Sequence, residues 1–250
     1  MLFQAHRGVS SEYPENTLPA FAAAAAEGFQ IIEFDPLFTA DGECVVFHDM
    51  TLKRTCRNAD GSEIAVDIKV ADLTYEELMA YDAGIFMGEQ FRGTRVPLLS
   101  QVLELAGKEN LLMKIDNRFA DFPRWQQEKM FDIVKQSGIN AGFTCKNLQI
   151  TAEVVARFPD APIHYDGYVD EETVKSIAAL LKNDDFTVWL ALPSELTSWV
   201  TVPTATPELC DMVKKYAKLG LWILDRQEQL EQAQALGADV IETTGSVKPR

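Results

Sequence analysis

Only three histidines occur in this chain of 250 residues, and two of them stand where acid–base chemistry would need them. His6 closes an apolar run near the N-terminus and is followed by Arg7 and Gly8. His48 closes another and is followed by Asp49. Histidine titrates near neutral pH, so two facing one site can act as general acid and general base. Glu33 and Asp35 lie between them in an extended segment, and strand alternation sends both carboxylates to one face. Such a pair is costly to bury unless it is protonated, paired or bound to a cation. Hard oxygen donors at this spacing suit Mg²⁺ or Ca²⁺. A salt bridge to Arg7 or Lys114 is the alternative. His164 sits in a further strand-like run beside Tyr165 and Asp166, where no motif gives it more than a structural or substrate-lining place.

Positioning these groups falls to eight short apolar or β-branched runs: Leu2–Ala5, Ile31–Asp35, Leu111–Asp116, Gly142–Lys146, Pro162–Asp166, Phe186–Leu192, Leu219–Leu224 and Ala238–Thr243. Helical patterns separate most of them: Leu18–Glu27, Pro97–Leu105, Trp125–Gln136, Glu171–Leu181, Pro207–Ala217 and Gln227–Leu236. Alternating strands and helices imply a parallel α/β sheet with right-handed crossovers. Eight such strands in about 250 residues favour a closed (β/α)8 barrel, in which reactive groups gather at the C-terminal strand ends. His6 and His48 both fall there. One long gap, after the second strand, holds a hairpin around Ala40-Asp41-Gly42-Glu43 and then residues 51–96. We expect residues 1–250 to form a single domain, with 51–96 inserted over one barrel mouth.

Lys and Arg number 23 against 38 Asp and Glu, a net charge of −15. Such a surface repels nucleic acid and anionic membranes, and no run reaches the ~20 apolar residues of a membrane span. Cys44, Cys56, Cys145 and Cys210 are scattered without metal-type spacing. With no secretory signal at the N-terminus, this fits free thiols in a reducing cytoplasm.

A longer series of motifs points further. His6-Arg7-Gly8 is followed by Glu15-Asn16-Thr17, Ala20-Phe21, Ile32-Glu33-Phe34-Asp35, Thr39, Asp41-Gly42 and Val45-Val46-Phe47-His48-Asp49 with Arg54-Thr55. Leu73-Thr74-Tyr75-Glu76-Glu77-Leu78, Asp82-Ala83-Gly84, Phe91-Arg92-Gly93 and Val96-Pro97-Leu98 come next. Over roughly the first 105 residues the chain resembles the glycerophosphodiester phosphodiesterase family. Strand order, Trp222 and Gly237-Ala238-Asp239 agree further on.

The resemblance implies a distorted TIM barrel with an insertion after strand two. It implies hydrolysis of a small-molecule phosphodiester, such as glycerophosphocholine, to an alcohol and glycerol 3-phosphate, aided by a divalent cation. Carried over by position, Glu33 and Asp35 are metal ligands and His6 and His48 the acid–base pair. Arg7 is then a phosphate contact, Glu15 part of the same mouth, and Trp222 a substrate contact.

The chain departs from the family pattern in its third strand. Where the family has a glutamate and, two residues on, a lysine, this sequence has Lys114 and Asp116. Glu242 stands on the last strand where the family has an apolar residue. Two readings follow. In the first, Asp116 or Glu242 supplies the missing metal ligand and Lys114 binds phosphate. In the second, the Lys114 ammonium replaces the cation, since it has donors alone and cannot ligate one. The first is the expectation. A phosphodiesterase or lyase that stops at a cyclic phosphate, and a weakened barrel that binds phosphorylated polyols without turnover, are the functional alternatives.

Overall fold

The computed structural model describes residues 1–182, 184–193 and 203–249. The chain begins with β1 (Leu2–His6), α1 (Leu18–Ala26) and β2 (Ile31–Phe34), followed by the hairpin strands β3 (Pro36–Phe38) and β4 (Cys44–Val46). Then come α2 (Tyr75–Leu78), α3 (Leu99–Glu109), β5 (Leu112–Ile115), α4 (Arg124–Ser137), β6 (Gly142–Cys145) and α5 (Leu148–Arg157). The remainder is β7 (Ile163–Tyr165), α6 (Glu171–Ala178), β8 (Phe186–Ala191), α7 (Pro207–Val213), β9 (Lys218–Leu224), α8 (Gln227–Ala235) and β10 (Val240–Thr243).

Eight parallel strands close in the order β1-β10-β9-β8-β7-β6-β5-β2, while β3 and β4 form a separate antiparallel pair. This is the expected (β/α)8 barrel. The main core lies between strands and helices, as the near-continuous apolar runs of a parallel sheet require. Inside the barrel, Ile31, Trp189 and Val240 form an apolar plug toward the N-terminal end, with Trp222 packed partly against it. Helix α5 had no counterpart in the sequence reading. Its start is set by Asn147, whose side chain accepts the Ile150 N–H (3.0 Å), an N-cap placed directly after β6.

The hairpin and the stretch after it share a second core of Leu37, Val45, Phe47, Leu52, Cys56, Ile64, Val70, Leu78, Ala83 and Val96. With short 3₁₀ turns and one helical turn as its only regular elements among the described residues, this stretch is organised by side-chain hubs. The buried Asp82 carboxylate accepts the N–H groups of Gly84 (2.8 Å), Ile85 (2.9 Å) and Gly93 (2.6 Å). All four cysteines are buried and unpaired. Among the described residues, no helix is long and apolar enough to cross a membrane.

Candidate active site

Register brings the first functional residues together. His6 pairs with Glu33 across β1 and β2, and Glu33 with Lys114 across β2 and β5, so the three share one level of the barrel. The chain then turns sharply, with Arg7 at φ 60° and Gly8 at φ 81°. A Cβ on Gly8 would lie 2.7 Å from the Ala20 backbone, so glycine is needed both for its φ and for helix α1 to approach. The turn aims the Arg7 N–H at the Glu33 carbonyl (3.1 Å) and at Glu33 Oε2 (3.2 Å). Asn16, another left-handed residue at φ 57°, donates from Nδ2 to Asp35 Oδ2 (2.7 Å).

Glu33, Asp35 and Asp116 form an acidic cluster in which one oxygen from each lies within 4.8 Å of the others. Asp116 sits one residue beyond β5 and caps the 3₁₀ turn Asn117–Asp121, accepting the Arg118 N–H on Oδ1 (3.0 Å). Burial, Asp35 and Glu242 push the Glu33 carboxyl well above its usual range. Burial and Asp35 raise Asp116. Asp35 is lowered: burial opposes ionisation, but Arg7, His48 and the Asn16 bond outweigh it. Three carboxyls in a pocket too poor in positive charge for all to ionise form a hard-oxygen donor set that could hold a cation. Among the described residues, each uses one oxygen on a protein donor and keeps the other free.

The two histidines are held differently. His6 Nε2 lies 3.9 Å from Glu33 Oε2, and burial lowers its pKa to about 4 despite Glu242, so the ring is neutral at pH 7. His48 Nδ1 lies 2.6 Å from Asp49 Oδ1. Burial works against the Asp49 carboxylate, but bonds from Arg54 and His48 bring it down to about 2, so Asp49 can only accept and Nδ1 carries the proton. Arg54 clamps Asp49 through Nε (2.6 Å) and reaches Glu15 through Nη1 and Nη2 (2.7 Å each). Glu15 also accepts from Arg7 (3.0 Å), whose Nε makes an ion contact with Asp35 (3.2 Å). Glu15 therefore stands at the mouth as a bridge between two arginines.

The reversed charges of the third barrel strand find each other across the interior. Lys114 Nζ lies 3.1 Å from Glu242 Oε2 and 4.0 Å from the centre of the Trp189 ring. Glu242 also accepts from Gln4. Glu242 is thus committed to Lys114 and stands outside the acidic cluster, which Asp116 completes. Lys114 is not within ion-pair distance of Glu33, Asp35 or Asp116, so its ammonium lies outside this carboxylate cluster. His164 is a core residue: Nδ1 accepts the Trp189 indole N–H (3.0 Å), and burial holds the ring neutral.

These groups open into a cavity of about 560 Å³ lined by His6, Arg7, the acidic cluster, His48, Lys114, Trp222 and Glu242. Asn117, Arg118, Asp121 and Asp166 share its wall, although no sequence motif singles them out. All but Asp166 belong to the turn after β5, a loop without a sequence motif. Asp166, the residue after β7, accepts from Asn117 (2.7 Å) and is pushed up to about 7 by burial and by Asp116. Its place directly after a strand was the available signal.

Residues 6–154 match the model of the glycerophosphoryl diester phosphodiesterase family, more than half of the chain. The chain belongs to this family. A glycerophosphodiester phosphodiesterase of Caldanaerobacter subterraneus is 32% identical over 249 residues, covering 96% of this chain and 92% of that relative. Among solved structures, an Oleispira antarctica phosphodiesterase in complex with the product sn-glycerol-3-phosphate superposes with a TM-score of 0.76 at 19% identity, covering 98% of this chain and 94% of that one. A glycerophosphoryl diester phosphodiesterase from Parabacteroides distasonis gives 0.74 at 20% identity, covering 97% and 82%. The family match includes both histidines, the acidic cluster and Lys114, and it ends before Asp166, Trp222 and Glu242.

Proposed function

We propose that this family member hydrolyses glycerophosphodiesters to an alcohol and glycerol 3-phosphate, with Mg²⁺ or Ca²⁺ held by Glu33, Asp35 and Asp116. One observation carries the proposal: three carboxylates close enough to hold a cation lie in one cavity with two histidines in contrasting environments. The product held by the Oleispira relative supports the substrate class. When bound, the cation supplies Lewis-acid stabilisation of the charge that develops on the phosphoryl oxygens.

The protein supplies the proton transfers. His6, kept neutral by burial, accepts the proton of the attacking water or hydroxyl. His48 donates to the departing alkoxide from Nε2, because its Nδ1 is held by the ionised Asp49 carboxylate, which fixes the orientation of the ring. The Glu15 bridge ties Arg7 to Arg54, so residues 51–96 hold the His48 side of the mouth through Arg54. In our reading those residues belong to the one barrel domain and shape the alcohol pocket, and Trp222 provides a flat wall for the substrate. Four buried, unpaired thiols support a cytoplasmic placement.

Kinetics on glycerophosphocholine test the assignment. His6→Ala and His48→Ala are each expected to lower kcat by about 10²-fold or more, with far-UV circular dichroism and bound metal unchanged. Wild-type turnover by both variants would overturn it.

A further inference from the structure

Of four cations in or beside the site, Arg7, Arg54, Lys114 and Arg118, the first three are already balanced by carboxylates among the described residues. Arg7 contacts Asp35 (3.2 Å) and Glu15 (3.0 Å), Arg54 holds Glu15 and Asp49, and Lys114 holds Glu242 (3.1 Å). The fourth, Arg118, lines the cavity, and no described carboxylate comes within ion-pair distance of its guanidinium. Its side-chain bond among the described residues runs from Nη1 to the His48 carbonyl oxygen, one of five available donors. In a chain with 38 acidic and 23 basic side chains, a half-buried guanidinium in this cavity with no described carboxylate in ion-pair range is conspicuous.

The local structure holds it there. Asp116 caps the turn by accepting the Arg118 N–H (3.0 Å). The next residue, Phe119, is buried edge-on against Phe131 (5.8 Å) and Phe143 (5.7 Å). The turn is thereby anchored on both sides of Arg118. A planar guanidinium with unused donors matches the oxygens of a phosphate group. From its place beside the acidic cluster, Arg118 can bind an anion that also faces a cation held by Asp116.

We infer that Arg118 binds a non-bridging phosphoryl oxygen of the substrate, and of the phosphomonoester product, while Lys114 serves as internal counter-charge to Glu242. This rests on the phosphodiesterase reading and deepens it by naming the cation that reads the phosphate. The bond to the His48 carbonyl sets up the competing possibility that Arg118 merely positions that histidine.

Calorimetric titration of sn-glycerol 3-phosphate and of inorganic phosphate, with and without Mg²⁺, separates the two when combined with kinetics. Arg118→Met is expected to weaken both ligands by about 10- to 100-fold, the scale of a lost hydrogen bond to a charged group. KM for glycerophosphocholine should rise by a similar factor while Mg²⁺ affinity stays unchanged. Arg118→Lys, a second variant that keeps the charge, should recover part of the ligand affinity. Unchanged ligand affinity in Arg118→Met would overturn the inference. So would a fall in kcat at constant KM and constant phosphate affinity, the signature of a role limited to His48. A wild-type protein that binds both ligands through Arg118 yet turns over no diester would leave the inference standing and remove the phosphodiesterase reading.

Discussion

Neutralising Glu242 should unfold the protein sooner by an amount the surroundings of Lys114 set. The Lys114 side chain is 9% exposed and that of Glu242 4%, so the pair is screened little by solvent. Removing one partner of a buried ion pair costs about 3–5 kcal/mol, because the other charge is left uncompensated. In Glu242→Gln the ammonium keeps its face-on contact with Trp189 at 4.0 Å, worth about 0.5–2 kcal/mol, and Gln4 keeps an acceptor. The expected loss is therefore about 1–4.5 kcal/mol, or roughly 2–15 °C in Tm for a domain of this size. Adding Lys114→Met removes the stranded charge and should recover at least about 1 kcal/mol, a positive coupling in the double-mutant cycle.

The pH dependence has a defined sign. Burial lowers the Lys114 pKa, but Glu242, Glu33 and Asp166 outweigh it and leave it raised. Its stabilisation is complete below the unfolded lysine value near 10.4 and fades as pH rises through the folded value. Burial raises Glu242, but Lys114 and His6 outweigh it and leave it lowered. Its share is complete above the unfolded value near 4.3 and is lost as pH falls through the folded value. The Glu242→Gln deficit should thus be full from about pH 5 to 10 and shrink in acid. Urea denaturation across that range, with calorimetry at pH 7, is the assay. A deficit under about 0.5 kcal/mol with no coupling to Lys114→Met would refute the reasoning.

Two further outcomes are expected. Asp116→Asn should weaken Mg²⁺ or Ca²⁺ binding by about tenfold or more in calorimetry, whereas Glu242→Gln should change it by less than about threefold, since Glu242 is committed to Lys114. Asp49→Asn should lower kcat by about 10- to 100-fold with the fold unchanged by circular dichroism, because the acceptor that orients His48 through Nδ1 is lost.

The barrel was legible because each strand is a short apolar run and most helices carry end signals: Pro207 opens α7, and Gly138 closes α4 at φ 69°. Helix α5 was missed because it follows β6 with only two intervening residues and its N-cap Asn147 was not read as one. Glu33 and Asp35 declared themselves through two-residue periodicity, and His6 and His48 by closing apolar runs. The fate of Glu242 was not legible. Whether it would join the acidic cluster or Lys114 depends on barrel stagger, which sets Glu242 beside Gln4 and lets Lys114 reach it across the interior. Arg118 and Asn117 were hidden because loops have no period. What distinguishes Arg118 is that no described carboxylate comes within ion-pair distance of its guanidinium, a property of packing that a sequence does not display.

Phosphorus NMR of glycerophosphocholine incubated with the protein, before and after exhaustive chelation, tests the central claim most directly. A glycerol 3-phosphate resonance is expected that grows with time, vanishes after EDTA treatment and returns with Mg²⁺ or Ca²⁺. An unchanged substrate resonance in the presence of either cation, or full turnover by protein shown to be metal-free by elemental analysis, would contradict it.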